Sequence, residues 1–229
     1  SIRFDDADTD YLDKDYSSAS ASNRRTFTFS AWIKLGNLGT WRNIFMGGQA
    51  DGNNNVSVIH FQTDDKLRVY SYSGGFTQRI ITTRTFKDTS QWYHLVVAFD
   101  TTQSTDSEKI KIYVDGVQET ALDTAEYGVD DYETFINLNN TQSIGRYNSG
   151  STQYFDGYMA EINFVDGTAY TPDTFGQVGS NGYWIPKSLS GISYGSKGFR
   201  LTFQNSSYLG YDYQTSDRSG ITNDFDIYS

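Results

Sequence analysis

The sequence predicts an all-β protein, a sandwich of two antiparallel sheets. Three observations carry this. Apolar residues recur with a period of two along most of the chain, and no helical stripe runs longer than a turn or two. Aromatic residues make up 16% of the 229, with 18 Tyr and 15 Phe, and such side chains suit a pleated, half-buried surface. Residues 92–99, apolar on both faces, precede a second strand that ends on Asp115-Gly116, a pair that tolerates positive φ and so marks a two-residue hairpin turn.

The elements follow in order. Residues 26–34 place Phe27, Phe29, Ala31 and Ile33 on one face and Thr28, Ser30, Trp32 and Lys34 on the other, which predicts a strand with one face on the core. Residues 56–61 are apolar on both faces apart from Ser57 and His60, and a tight connection at 63–66 leads to 66–72, which alternates again. Residues 78–85 read as another strand. Leu95, Val97 and Phe99 alternate with Val96 and Ala98, the pattern of a central strand covered on both sides. After a polar loop, Ile110, Ile112 and Val114 point inward. Residues 142–146 form a short strand and 154–165 a long one, with Tyr158, Ala160, Ile162 and Phe164 on one face and Met159, Glu161 and Asn163 on the other. From Gly176 onward Gly, Ser, Asn and Tyr dominate. The clearest strand there, 199–203, is expected to pair with Ile2-Arg3-Phe4. The chain carries no second core-sized apolar set, so 1–229 reads as one domain with 176–229 as an irregular C-terminal wrap.

Charge and composition exclude several function classes. A formal charge of −10 repels phosphate backbones, which argues against nucleic-acid partners. No apolar run approaches the roughly 20 residues of a membrane-spanning helix, which argues against membrane insertion. With no cysteine there is no disulfide and no thiolate chemistry.

Several of these segments form a recognisable series. Phe27-Thr28-Phe29-Ser30-Ala31-Trp32-Ile33-Lys34, Trp92-Tyr93-His94-Leu95-Val96-Val97-Ala98-Phe99-Asp100, Ile112-Tyr113-Val114-Asp115-Gly116, Ile144-Gly145-Arg146 and Phe155-Asp156-Gly157-Tyr158-Met159-Ala160-Glu161-Ile162 occur in that order. Over residues 1–175 the set resembles the laminin-G-like branch of the concanavalin A-like lectin/glucanase superfamily, which implies a jelly-roll topology. The stretch from Phe155 to Phe175, followed by Gly182-Tyr183-Trp184-Ile185-Pro186-Lys187, resembles laminin-G-like domains of tailed-phage structural and fibre proteins. That likeness implies a place on the virion surface and a chain that continues past Ser229.

Four candidate sites follow. Glucanases of this superfamily carry Glu-x-Asp-x-x-Glu on one strand, and Glu161-Ile162-Asn163-Phe164-Val165-Asp166 has its outline. Here Asn163 replaces the middle acid and Asp166 sits in an Asp-Gly turn, so the sequence favours no catalytic residues. The two histidines, His60 and His94, lie mid-strand among aliphatic residues and read as packed imidazoles. The oxygen-rich loop of Asp51, Asn53 and Asn55, with Asn148, could hold a single Ca²⁺. The resemblance places a comparable Asp-Asn pair in pentraxins, whose second, acidic ligand cluster is replaced here by Arg146-Tyr147-Asn148. Loops that mix aromatic faces with amide and guanidinium groups suit sugar recognition, and Trp41, Arg42, Asn43, Tyr72, Tyr147, Asn148 and Tyr154 are the candidate carbohydrate rim.

The expected function is a non-catalytic virion surface or appendage module that binds host-surface glycans or other virion subunits, with self-association as a further option. The alternatives are a purely structural subunit-interface domain and a glycan-active hydrolase using Glu161.

Overall fold

The computed structural model describes residues 1–48, 55–147, 153–213 and 223–229. The chain enters through β1 (Ile2–Phe4), β2 (Tyr11–Lys14), β3 (Thr26–Leu35) and β4 (Arg42–Gly48). A meander follows, β5 (Val56–Phe61), β6 (Lys66–Tyr72) and β7 (Phe76–Thr85). Next come β8 (Tyr93–Asp100), a single helical turn at Asp106–Lys109, β9 (Ile110–Val114), β10 (Val117–Gln118) and β11 (Leu122–Glu126). The remaining strands are β12 (Gln142–Ile144), β13 (Gly157–Asp166), β14 (Gly176–Val178), β15 (Trp184–Pro186), β16 (Phe199–Leu201) and β17 (Asp226–Tyr228).

These strands make the antiparallel sandwich. The first sheet runs β1-β13-β3-β8-β9-β10, with β16 also on β13; the second runs β11-β7-β6-β5-β4-β12-β2-β17; β14 and β15 form a small ribbon. The core between the sheets is aromatic. Phe45 of the second sheet meets Phe29 and Phe164 of the first at ring-centroid distances of 5.0 and 5.2 Å. Truncating such a ring to Ala typically costs about 3–5 kcal/mol. The hairpin turn forms as its residues require, with Asp115 at φ 50° and Gly116 at φ 83°.

Three details depart from the sequence reading. Residues 199–203 do not pair with β1. β16 takes Ile162–Phe164 and β1 takes Gly157–Met159, so the two share one edge of β13 in tandem. Second, β13 does not keep one alternation. A bulge between Ala160 and Asn163, with Glu161 at φ 45°, shifts the register against β3. Met159 therefore reaches the core before the bulge and Ile162 and Phe164 after it, while Tyr158 stays exposed. Third, the polar face of β3 is not open to solvent, because Thr28, Ser30 and Trp32 are all buried.

The third departure has a local cause. Phe175 and Tyr194 are buried against Val96, Ala98 and Tyr113, with Tyr170, Leu189 and Ile192 packed on them. Trp184 seals the other end. Its indole N–H donates to His94 Nδ1 at 2.8 Å, and His94 stacks between Trp184 (6.0 Å) and Trp32 (4.8 Å). The indole lies so close to the backbone that a Cβ on Gly116 or Gly176 would sit 2.6 or 2.5 Å from it. Residues 169–194 thus roof the outer face of the first sheet.

A candidate glycan-binding cleft on the open sheet

The second sheet presents its outer face differently. In β6, Leu67, Val69 and Ser71 turn inward, which leaves Arg68, Tyr70 and Tyr72 on the outside. The pairing register then lays three rows across the sheet. Asn43, His60 and Arg68 are successive partners, as are Met46, Val58, Tyr70 and Arg79, and Gly48 and Val56 lead to Tyr72 and Phe76. Residues far apart in sequence are brought together by strand pairing alone.

At the centre stands Arg68. Its guanidinium lies 4.5 Å from the ring centroid of Tyr70, 4.9 Å from Trp41 and 5.6 Å from Phe76. Its Nε–H donates to His60 Nε2 at 2.8 Å, so the neutral imidazole carries its proton on Nδ1. Burial, with the Arg68 charge next, holds His60 well below the ordinary histidine range. His60 Nδ1 and Gln153 Oε1 each lack a bond of good geometry, although Gln153 lies near enough to favour the protonated ring slightly. Arg79, beside Phe76 at 4.4 Å, is neutralised by Glu126 through a two-pronged contact of 3.1 and 2.8 Å.

This cluster borders a cleft of about 270 Å³, lined by Val56, Arg68, Tyr70, Tyr72, Phe76, Tyr147 and Gln153. Phe76 is 42% exposed, unusual for a large apolar side chain on a sheet face. Burial raises the Tyr70 phenol and lowers the Arg68 guanidinium from their ordinary values. The chemistry on offer is therefore aromatic faces, a cation, phenolic hydroxyls and an amide. Among the described residues no group of His, Cys, Asp and Glu is able to hold a metal ion.

The predicted rim is only partly assembled here. Tyr72 and Tyr147 line the cleft, and Trp41 packs behind Arg68, stacked on His60 at 5.0 Å. Tyr154 lies elsewhere, 6.2 Å from the ring of Tyr11. Arg42 and Asn43 are corrections. Both have no exposed surface; Arg42 is ion-paired to Asp65 at 2.5 Å and Asn43 donates to the Arg146 carbonyl, because they belong to β4 rather than to a loop. Of the Ca²⁺ candidates, Asp51, Asn53 and Asn148 lie outside the described residues, and Asn55 accepts a bond from Ser73 Oγ at 2.7 Å.

The acids of the alternative reading are engaged. Glu161 pairs with Arg200 at 3.2 Å. Asp166 is buried and accepts from Asn137, Ser196 and the Lys197 backbone. Asn163 bridges the Glu161 carbonyl and the Tyr194 hydroxyl. Sequence reasoning missed Arg68 and Tyr70, and did not single out Phe76 and Gln153, although both belong to the sequence segments 72–76 and 147–154 from which it drew the rim. For the first two the signal was present in the alternation of 66–72, which sets Arg68, Tyr70 and Tyr72 on one face.

A family model described as the concanavalin A-like lectin/glucanases superfamily matches residues 6–174. No curated protein matches the chain. Among solved structures, the native heptameric SAP-like pentraxin from Limulus polyphemus is 16% identical, with a TM-score of 0.50 over 71% of each chain. The NanB sialidase from Streptococcus pneumoniae is 17% identical, with a TM-score of 0.51; the match covers 88% of this chain and 30% of that one. At these identities the likeness is one of fold.

Proposed function

The chain belongs to the concanavalin A-like lectin/glucanases superfamily, and from that premise we propose that it is a non-catalytic glycan-binding module whose ligand lies in the cleft on the outer face of the second sheet. One observation carries the reading. Tyr72, Phe76 and Tyr147 stand around an open cleft with Arg68 and Gln153, a combination of stacking faces and hydrogen-bonding groups that suits a sugar. The ion pair of Glu161 with Arg200 and the buried bonds of Asp166 support a structural role for both acids, so the proposal includes no hydrolytic step. The setting we propose is the surface of a phage particle, on the likeness of segments 155–175 and 182–187 to such appendage modules.

The test is a glycan array followed by titration calorimetry on the best binder. Tyr72→Ala should weaken binding by about tenfold or more, the effect of removing one stacking face of roughly 1.4 kcal/mol, while the melting temperature stays near that of the parent. Binding unchanged in Tyr72→Ala and in Phe76→Ala would place the site elsewhere.

A second reading, a structural interface, draws on the ribbon of β14 and β15. Val178 and Tyr183 are 67% and 72% exposed there, an apolar pair that an assembled particle could cover.

A further inference from the structure

Arg68 is set apart from the other arginines. Every other described arginine has a carboxylate within ion-pair distance: Arg3, Arg24, Arg25 and Arg42, then Arg79, Arg84, Arg146 and Arg200. Arg68 has none among the described residues, although the chain carries ten more acidic than basic side chains. Its described partners are neutral. Tyr70, Trp41 and Phe76 lie against the guanidinium, His60 takes the Nε–H, and the Tyr70 hydroxyl takes a further side-chain hydrogen bond. A guanidinium has five N–H donors in one plane, and two neutral acceptors leave its charge uncompensated. Those planar donors match a carboxylate or sulfate held in the same plane. The neighbouring cation, Arg79, is already matched by Glu126, so among the described residues Arg68 is the cleft's one cation without a carboxylate.

On this geometry, and resting on the glycan reading above, we propose that the cleft selects an acidic saccharide unit, whose carboxylate or sulfate group meets the terminal nitrogens of Arg68 while its ring lies against Tyr72 or Phe76. The volume of about 270 Å³ sits just under the roughly 300–1,000 Å³ of sites that enclose drug-sized ligands, which suits a single charged sugar unit rather than a long chain. The net negative charge of the molecule opposes such a ligand only at long range. Salt screens that repulsion beyond about 8 Å under physiological conditions, whereas the contact with Arg68 is local.

The experiment compares matched oligosaccharides that differ in one unit: neutral, uronate-bearing or sulfated. Calorimetry on the unmodified protein should show at least one acidic form binding about tenfold or more tighter than the neutral form, the gain expected from a charge-assisted pair. That preference should shrink as salt is raised, and Arg68→Gln should abolish it. The uronate and sulfate arms identify which anion is taken. Equal affinity for neutral and acidic forms, with no salt dependence, overturns the selectivity for acidic sugars and leaves the glycan reading standing. Absence of binding to every saccharide overturns both. Because Arg68→Gln removes packing as well as charge, the salt series on the unmodified protein decides the matter even where the variant melts early.

Discussion

The two sheets of this sandwich treat their outer faces in opposite ways, and a histidine on each makes the contrast sharp. His94, on the first sheet, is enclosed by Trp32 and Trp184, with Ser30 on Nε2 and the indole N–H on Nδ1. His60, on the second, is equally buried, but it bonds Arg68, which lines the cleft. In the first case both ring nitrogens are bonded within the protein. In the second, Nε2 accepts from Arg68 while Nδ1 lacks a bond of good geometry. On the proposed reading the covered face serves stability, and the face that collects aromatic rings and a cation with no carboxylate among the described residues serves recognition.

The largest expected effect lies on the covered face. Trp184→Ala removes the indole that fills the space above Gly116 and Gly176 and strips His94 Nδ1 of its donor. A loss of about 3 kcal/mol is expected, the low end for truncating a core aromatic because Trp184 is only partly enclosed. Chemical denaturation measures it, and a loss below about 1 kcal/mol would mean the roof is not fastened by Trp184.

Acid should act on the same face with somewhat smaller size. Burial lowers the His94 pKa to about 4. A histidine depressed in the folded state contributes stability that is complete above its unfolded pKa near 6.5 and is lost as pH falls toward the folded value. The window is therefore about pH 6.5 down to 4, and the loss attributable to His94 is about 3 kcal/mol as an upper figure. His60 is shifted in the same direction and adds to the slope. Denaturation midpoints measured across that window should fall with acid, and His94→Gln should flatten the fall. An identical slope in the variant would assign the acid sensitivity to carboxylates instead.

The smallest effect on stability belongs to the open face. Phe76→Ala should change the unfolding free energy by less than about 1 kcal/mol, since the ring is substantially exposed and packs edge-on to Tyr70 and Tyr72. A loss as large as that of Trp184→Ala would make Phe76 a packing residue and erase the contrast between the faces.

Much of this arrangement is legible in the sequence, and the rest is hidden for physical reasons. The doubly apolar strand of Leu95, Val96, Val97, Ala98 and Phe99 announced a covered face, and Asp115-Gly116 announced its turn. The inward set of Phe27, Phe29, Ala31 and Ile33 is likewise in the core. What covers the far side of β3 could not be read, because the roof is built from scattered residues such as Phe175, Trp184 and Tyr194 in a segment with little periodicity. β4 was hidden because every one of its residues is buried, so no alternation marks it, and Arg42 and Asn43 looked like loop residues. The bulge at Glu161 breaks a pattern of period two that sequence alone continues unbroken. The cleft draws Val56, Arg68, Tyr70, Tyr72 and Phe76 from β5, β6 and β7, which only the pairing register sets side by side, and adds Tyr147 and Gln153 from outside those strands. Tyr72 and Tyr147 were found from composition of their loops; Arg68 lay in plain view on an alternating strand without a reason to single it out.

The most direct test of the central claim sets one exposed ring on each face against the other. Phe76→Ala, on the open sheet, and Tyr183→Ala, on the roof, are titrated with the best glycan from the array. The account predicts a loss of about tenfold or more in affinity for Phe76→Ala and no change for Tyr183→Ala. The reverse pattern, or equal affinity in both variants, would contradict it.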